Sequence, residues 1–256
     1  MKGYLTLGAP RSGSSWLASL LNSTGVTGNS REWLQSSHWS GHVESAEEHF
    51  RLTIEKASTP NQRFAARVFP APLYKVYFRF GYDFIRNCQK LYETSLVVLV
   101  RKDTLGQAIS WSRAYQSKKF HSTDSKTQEE MYDFKDIAKR YVLIQRLNGF
   151  WRSYLGIQQL QYREFTYENL ATDPTPYVSY ISEALQVEIP TDVSSRLEVQ
   201  RDERTEEWRE RFLSDARDSD IIAFADGREI PARTIGNLAS FVRKQTTKPY
   251  PFNELP

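Results

Sequence analysis

A turn near the N-terminus carries residue types that bind phosphate. Residues 8–16 read Gly-Ala-Pro-Arg-Ser-Gly-Ser-Ser-Trp, which spaces Gly8 and Gly13 as in the G-x-x-x-x-G loop of phosphate-binding proteins. Such a loop points successive backbone N–H groups at an anion, and the following helix adds its positive N-terminal end. Arg11 and the serine hydroxyls of the segment add side-chain donors. The segment therefore predicts an anion site.

The end of this loop differs from an ATP or GTP site. A Walker loop has Lys and then Ser or Thr after its second glycine, whereas this chain has Ser14 and Ser15. The lysine that reaches the outer phosphates is missing, so a nucleoside triphosphate site is disfavoured while an anion site is kept. The simpler interpretation is a Gly/Ser-rich helix start that binds nothing. The apolar run before the loop and the helical pattern after it favour an anion-binding loop instead.

A second turn of this kind follows the most apolar run of the chain. Residues 95–100 read Ser-Leu-Val-Val-Leu-Val, which is typical of a buried parallel strand. Arg101 comes directly after it, and Ser110 lies in the helix predicted next. A guanidinium offers two parallel donors to a phosphate. Alone, Arg101 would equally fit a surface ion pair; beside the first loop it predicts a second anion site.

The elements that position these turns predict an α/β fold, a P-loop-like parallel β-sheet flanked by helices on both faces. Predicted strands cover residues 4–7, 62–69, 95–100 and 160–162. One helix is predicted from residue 14 to a stop signal at Gly25, and another from the end of residues 101–103 to about residue 115. Further helices are predicted over 73–86, 131–154 and 177–184, and polar loops at 29–49 and 117–130. Ligands of such sheets bind at the carboxyl ends of strands, where both turns lie.

Length, composition and charge limit the alternatives. The 256 residues, 39% of them hydrophobic, fit one large domain, which we place at residues 1–218, with a charged extension over 219–256 that docks or mediates oligomerisation. The net charge of +3 is too small for a strongly basic nucleic-acid-binding protein. No apolar run approaches the roughly 18 residues that span a bilayer, and no signal-peptide pattern is present, so a cytoplasmic protein without a transmembrane segment is expected.

Cysteine and histidine give no metal-site signal. Cys88 is the single cysteine, so neither an intrachain disulfide nor a cysteine metal cluster can form. His38 and His42 are spaced i, i+4, but no glutamate-containing metal motif surrounds them. We therefore expect no metal, and we interpret this pair as polar surface or as part of a substrate loop.

Several segments in order resemble a known family. Residues 11–16, Arg-Ser-Gly-Ser-Ser-Trp, look like the 5'-phosphosulfate loop of sulfotransferases that use 3'-phosphoadenosine-5'-phosphosulfate (PAPS). The resemblance is closest to the bacterial Stf0 type. Three segments of this chain are similar to its glutamate-containing stretch, its 3'-phosphate segment and its C-terminal signature, namely residues 23–35, 98–111 and 197–218 in that order. The ordered series over about residues 4–218 is more specific than any single segment.

The resemblance implies a sulfotransferase fold, PAPS as donor, 3'-phosphoadenosine-5'-phosphate (PAP) as product and in-line sulfuryl transfer without a metal. The residues expected to bind the cofactor are Arg11, Ser12, Gly13, Ser14, Ser15, Trp16, Arg101 and Ser110. Glu32 matches the catalytic glutamate, and Arg11 is expected to stabilise the departing 5'-phosphate. The alternative for Glu32 is a surface carboxylate beside Arg31. Segment 165–174 looks like a Tyr-Glu-Asp-Leu stretch common in sulfotransferases and is interpreted as structural.

The acceptor is expected to be a hydroxyl group, of a carbohydrate or glycolipid, with other alcohols and phenols left open. The residues predicted to bind it are Trp33, His38, Trp39 and Arg67. The tryptophans would stack on a sugar, and His38 is the reserve base because histidine titrates near neutral pH. Arg67 falls where Stf0 proteins have lysine, and we expect it to point into the cleft. Family analogy implies a homodimer.

Two other functions stay open. One is a P-loop kinase or nucleotide hydrolase, against which the missing Walker lysine counts. The other is a non-catalytic binding module, against which the combination of Arg11, Glu32, Arg101 and Ser110 counts. Arg201 and Arg204, near the C-terminal signature, are weaker candidates for contact with the cofactor, because interleaved acidic residues also fit a solvated helix face.

Overall fold

A four-stranded parallel sheet organises the chain. The structure, a computed structural model, describes residues 1–38, 43–118, 128–190 and 203–217. The strands are β1 (Lys2–Gly8), β2 (Arg63–Val68), β3 (Glu93–Val100) and β4 (Arg163–Thr166). They lie in the order β2–β1–β3–β4, and each neighbouring pair is parallel. The α/β class with a parallel sheet, predicted from the sequence, is confirmed.

Helices connect and cover these strands. They are α1 (Ser14–Asn22), α2 (Ala46–Ala57), α3 (Pro70–Phe80), α4 (Phe84–Leu91), α5 (Thr104–Ser117), α6 (Phe134–Ile157), α7 (Tyr167–Thr172), α8 (Thr175–Leu185) and α9 (Glu203–Arg217), with a short 3-10 turn at Ser36–His38. Among the described residues, none of these helices combines the length and apolarity needed to cross a membrane. The predicted extension 219–256 lies outside the described residues.

Both faces of the sheet are packed, as the near-continuous apolar character of its inner strands requires. On one face, side chains of α2, α3, α4 and α6 cover Leu5, Leu7 and Val98. On the other, α1 and α8 cover Tyr4 and Leu99. A third apolar cluster joins α5, α6 and α9, so the C-terminal helix is part of the packed structure.

Three predicted elements differ from the structure for local reasons. The helix predicted over 73–86 is two helices, because Gly81 has a left-handed backbone (φ 72°) that ends α3 and Asp83 caps α4. Helix α2 begins inside the stretch predicted as loop, where Ser45 accepts a hydrogen bond from the Glu48 N–H. The fourth strand lies at Arg163–Thr166 instead of 160–162.

The chain order creates a crevice between the two central strands. From β1 the chain continues to β2 on one side, whereas from β3 it continues to β4 on the other side. Loops that follow two such neighbouring strands diverge and leave room for a ligand at their carboxyl ends. The two predicted anion-binding turns, after Gly8 and after Val100, lie at this place.

Candidate active site

The loop between β1 and α1 has the backbone shape of an anion cradle. Arg11 and Gly13 both have left-handed backbones, with φ of 65° and 91°, and Ser12 lies between them. Alternation of this kind turns backbone N–H groups toward one point. Ser12 is 1% exposed, and among the described residues its Oγ has no hydrogen-bond partner. A buried hydroxyl left unmet is costly, so it indicates a polar ligand at this loop.

Three side chains from other elements fix the loop in place. The Trp151 indole donates to the Gly8 carbonyl at 2.9 Å, and the Gln107 amide donates to the Pro10 carbonyl at 2.7 Å. The ring of Tyr167 packs so closely on Gly13 that a Cβ there would collide with it. The cradle is therefore held from α5, α6 and α7 before any ligand binds.

Arg11 joins the loop after β1 to helix α5, which follows the second predicted anion-binding turn. Its Nε donates to the Ser110 hydroxyl at 3.0 Å across 99 residues of sequence. From the sequence, Arg11 is expected at the 5'-phosphate and Ser110 at the 3'-phosphate of one ligand, and the structure brings the two side chains into contact. The first predicted anion-binding turn is thus in contact with the helix that follows the second.

Arg101 lies at the second turn under a tyrosine ring. Its side chain is 10% exposed, and its guanidinium carbon lies 5.0 Å from the ring centre of Tyr167. Its Nη2 is 3.5 Å from Asp103 Oδ2. Tyr167 therefore contacts both Gly13 and Arg101, which ties the two loops together.

The residue after this tyrosine clamps the second turn. The Glu168 carboxylate accepts hydrogen bonds from the backbone N–H groups of Lys102 and Asp103, both at 3.1 Å. Segment 165–174, interpreted from the sequence as structural, is thus the element that positions Arg101. The signal available in the sequence was the Tyr-Glu pair directly after a strand.

Helix α9 reaches the second turn from the C-terminal end of the chain. Arg209 donates to both carboxylate oxygens of Asp103, at 3.1 and 2.8 Å. Burial alone would raise the pKa of Asp103, but the hydrogen bonds from Arg209 and the Gly106 N–H, with the charges of Arg209 and Arg101, hold that pKa below its ordinary value. Arg209 was not singled out from the sequence.

A third charged group lies where β2 ends. Arg67 is 8% exposed, and its Nη1 donates to the Ser15 hydroxyl and lies 3.3 Å from Glu32 Oε1. Burial lowers the pKa of the Arg67 guanidinium and Glu32 opposes that shift, but an arginine stays charged in either case. The backbone N–H of Arg67 donates to the backbone carbonyl of Arg31 at 2.9 Å. This hydrogen bond places the neighbouring residue, Glu32, beside β2.

The predicted acceptor residues near this group have different environments. Trp33 is 8% exposed, and its indole donates to the Asn29 carbonyl at 2.7 Å, so little of its ring surface is open to a ligand. The ring of His38 lies 5.1 Å from that of Trp33. Burial, then the charges of Lys56 and Arg31, lower the pKa of His38, with Glu32 opposing. Trp39 lies outside the described residues.

The remaining predicted residues are placed as follows. Ser14 is buried in the first turn of α1, and Trp16 packs against the cluster that joins α1 to α8. Arg204 is exposed and lies 3.8 Å from Glu130. Arg201 lies outside the described residues. Within the described ranges, no group of three or more His, Cys, Asp or Glu could hold a metal ion.

Comparison with known proteins gives a family match. A family model described as Stf0 sulphotransferase matches residues 3–79 and 76–215. The sulfotransferase domain from the curacin biosynthetic pathway is similar in structure, with TM-score 0.44 and 14% identity over 75% of this chain and 77% of that one. The sulfotransferase domain from the Synechococcus PCC 7002 olefin synthase has TM-score 0.43 and 16% identity over 97% and 95%. No curated protein matches.

Proposed function

Since the chain belongs to the Stf0 sulphotransferase family, we propose that this sulfotransferase moves a sulfuryl group from PAPS to an acceptor hydroxyl, of a carbohydrate or glycolipid. The observation that carries the proposal is the hydrogen bond between Arg11 and Ser110. It joins the turn after β1 to helix α5, which follows the cationic turn at the end of the adjacent parallel strand β3. A nucleotide with phosphates at both its 5' and 3' positions needs two such turns side by side.

The residues at the first turn fit the 5'-phosphosulfate end of the donor. The left-handed backbones of Arg11 and Gly13, the N-terminus of α1 and the buried Ser12 hydroxyl all favour an anion. When bound, PAPS supplies a sulfuryl group attached to a phosphate leaving group. Arg11 and the loop N–H groups stabilise the charge that develops on that phosphate, because they are oriented in advance.

The second turn fits the 3'-phosphate. Arg101 is the cation proposed to bind it, with Ser110 adding a hydroxyl donor. Arg101 is mostly buried against Tyr167, and the turn that carries it is fixed by Glu168. A charged donor held in a partly dehydrated site binds an anion more strongly than one in free solution.

Glu32 is the proposed base. A hydroxyl is a poor nucleophile until a positioned group takes its proton. The Glu32 carboxylate faces Arg67, whose guanidinium also contacts Ser15 at the start of α1. This places a carboxylate next to the donor loop, on the side where β2 ends. His38 remains the proposed reserve base and acceptor contact, and Trp33 and Trp39 remain proposed acceptor contacts by sequence. A homodimer, by family analogy, and a cytoplasmic location, from the sequence pattern, remain part of the proposal.

Binding of PAP, the product nucleotide, tests the donor assignment. We expect calorimetry to detect heat on PAP addition, and we expect PAP to raise the unfolding temperature, because a ligand that binds the folded state stabilises it. Turnover of labelled PAPS with a panel of sugars then identifies the acceptor class. No heat and no thermal protection by PAP would overturn the proposal, and Mg-dependent ATP binding in its place would favour the kinase alternative.

A further inference from the structure

An acidic side chain lies inside the site that we assign to a phosphate. The Oδ2 atom of Asp103 lies 3.5 Å from Arg101 Nη2. A carboxylate at that distance competes with a phosphate for the same guanidinium and repels the phosphate charge. The second turn can serve as an anion site only if another group occupies this carboxylate.

We propose that Arg209 is a positioning residue: by pairing with Asp103 it weakens the hold of this carboxylate on Arg101, so that the 3'-phosphate of the donor can replace Asp103 at the Arg101 guanidinium. The inference rests on the proposed function, because it takes Arg101 as the phosphate-binding residue. Arg209 acts through Asp103 and does not itself contact the nucleotide.

The geometry at Asp103 supports this role. Arg209 meets both carboxylate oxygens, at 3.1 and 2.8 Å, and this two-point arrangement is the strongest that arginine makes with a carboxylate. Arg101 Nη2 lies farther from this carboxylate, 3.5 Å from Asp103 Oδ2. The Gly106 N–H donates to Asp103 Oδ1 at 2.9 Å. Asp103 is thus turned toward α9 and the start of α5.

A glycine makes room for this pair. At Gly106 a Cβ would collide with Asp103 Oδ2 and would lie 2.8 Å from Arg209 Nη2. Any side chain at this position would push the carboxylate or the guanidinium out of place. The absence of a side chain at Gly106 therefore keeps the path between α9 and the second turn open.

Helix α9 is anchored to the rest of the protein at two residues that precede Arg209. Trp208 is 4% exposed and packs with residues of α5 and α6. Thr205, one turn earlier, accepts a hydrogen bond from Arg113 of α5 at 2.6 Å. These contacts fix the backbone that carries Arg209, and the planar guanidinium fork loses little entropy per hydrogen bond that it forms.

The two nucleotides PAP and adenosine 5'-phosphate separate this role from a general effect on folding. They share the 5'-phosphate and the base, and only PAP has the 3'-phosphate. In Arg209→Ala we expect about a tenfold weaker PAP affinity, the size of one lost charged hydrogen bond, and an unchanged affinity for adenosine 5'-phosphate. Arg209→Lys keeps the charge without the planar fork, so its PAP affinity should lie between those of the wild type and Arg209→Ala.

A double substitution tests the dependence on Asp103. With Asp103→Asn in place, the competing charge is gone while an N-cap residue remains, so adding Arg209→Ala should no longer weaken PAP binding. Arg211→Ala, on the same helix, makes the same change in net charge at a residue that contacts Tyr132 and Asp215, and it should leave both affinities unchanged.

The outcomes distinguish the two levels of the argument. Equal weakening of both nucleotides in Arg209→Ala, or failure of Asp103→Asn to remove the effect, would overturn the role of Arg209 while leaving the proposed function standing. A wild-type protein that binds PAP no better than adenosine 5'-phosphate would overturn the 3'-phosphate site itself. Calorimetry gives the affinities, and circular dichroism of Arg209→Lys and Arg209→Ala confirms that each variant is folded.

Discussion

Arg67 and Glu32 form an ion pair of 3.3 Å in which the two side chains are only 9% and 24% exposed. The same guanidinium donates to Ser15 in the first turn of α1. Among the described residues, the Arg67 Nε has no partner. A buried guanidinium is tolerated when a carboxylate compensates its charge. Arg67 therefore connects Glu32, the proposed base, to the start of α1, next to the loop proposed to bind the donor.

Replacement of Glu32 by glutamine tests the proposed base. Because glutamine cannot take a proton, we expect turnover to fall by about a hundredfold or more, the usual contribution of a general base. PAP affinity should stay close to that of the wild type, since the donor loops are unchanged. Labelled-PAPS turnover and PAP calorimetry measure the two effects. Glu47→Gln, an exposed carboxylate of α2, is the control, and near-normal turnover in Glu32→Gln would remove this residue from the role.

Substitution at Gly13 tests the fit between the two anion loops. Gly13 has φ of 91°, and a Cβ there would collide with Tyr167. Gly25 also has a left-handed backbone, φ 68°, but a Cβ would meet nothing within 4 Å. Each alanine costs about 1–2 kcal/mol of backbone strain, and only Gly13→Ala also displaces Tyr167.

Denaturant unfolding compares the two glycine variants. We expect a larger loss in the free energy of unfolding for Gly13→Ala than for Gly25→Ala, together with weaker PAP binding in Gly13→Ala alone. Equal losses and equal PAP affinities in the two variants would show that Tyr167 and Gly13 do not depend on each other.

Removal of the Glu168 carboxylate tests the clamp on the second turn. Glu168→Ala leaves the N–H groups of Lys102 and Asp103 without this acceptor and frees the turn that carries Arg101. We expect PAP affinity to fall by about tenfold, the size of one hydrogen bond to a charged group. Glu164→Ala, an exposed carboxylate on β4, should bind PAP like the wild type. Unchanged calorimetry in Glu168→Ala would contradict the assignment.

Acid sensitivity of the fold should depend on His49. Burial, and then the charge of Arg79, lower the pKa of His49 to about 4 in the folded protein, while an unfolded histidine titrates near pH ~6.5. Between these values the unfolded chain binds the extra proton, so stability rises with pH and is lost as the pH falls from about 6.5 toward about 4.

Thermal unfolding across this pH range measures the effect. His49 is 1% exposed, and its Nδ1 lies 2.6 Å from the Tyr82 hydroxyl. His49→Gln should unfold at a temperature that changes less with pH between 6.5 and 4 than that of the wild type. His38→Gln, a substitution at a partly exposed ring, should keep most of the wild-type slope. Identical slopes for His49→Gln and the wild type would contradict the prediction.

Local spacing was sufficient to predict the central part of the fold. The loop after β1 and the apolar run of β3 are continuous segments, and their partners in a parallel sheet follow from general rules of chain connection. Helix α2 was missed because its buried positions include His49 and Thr53, which hide its apolar face in the sequence. Family resemblance, rather than spacing, supplied the role of Glu32.

The contacts that shape the site were beyond local pattern. Arg209 and Asp103 are 106 residues apart, and the charged surroundings of Arg209 read as a solvated helix. Glu168 was within a recognised segment, but its partners are backbone N–H groups of another loop, which no residue type reveals. Such pairings follow from how α7 and α9 pack on the sheet, and packing is determined by the whole chain.

The left-handed backbone of Arg11 allows the shape of its loop and the charge of its side chain to be changed separately. Glycine adopts this conformation without penalty, so Arg11→Gly would keep the curve of the loop and relax it while deleting its cation. A β-branched residue would disturb both. Under the role proposed for Arg11, the Arg11→Gly loop would still admit an anion but would no longer stabilise the departing phosphate, so the donor complex would accumulate before transfer.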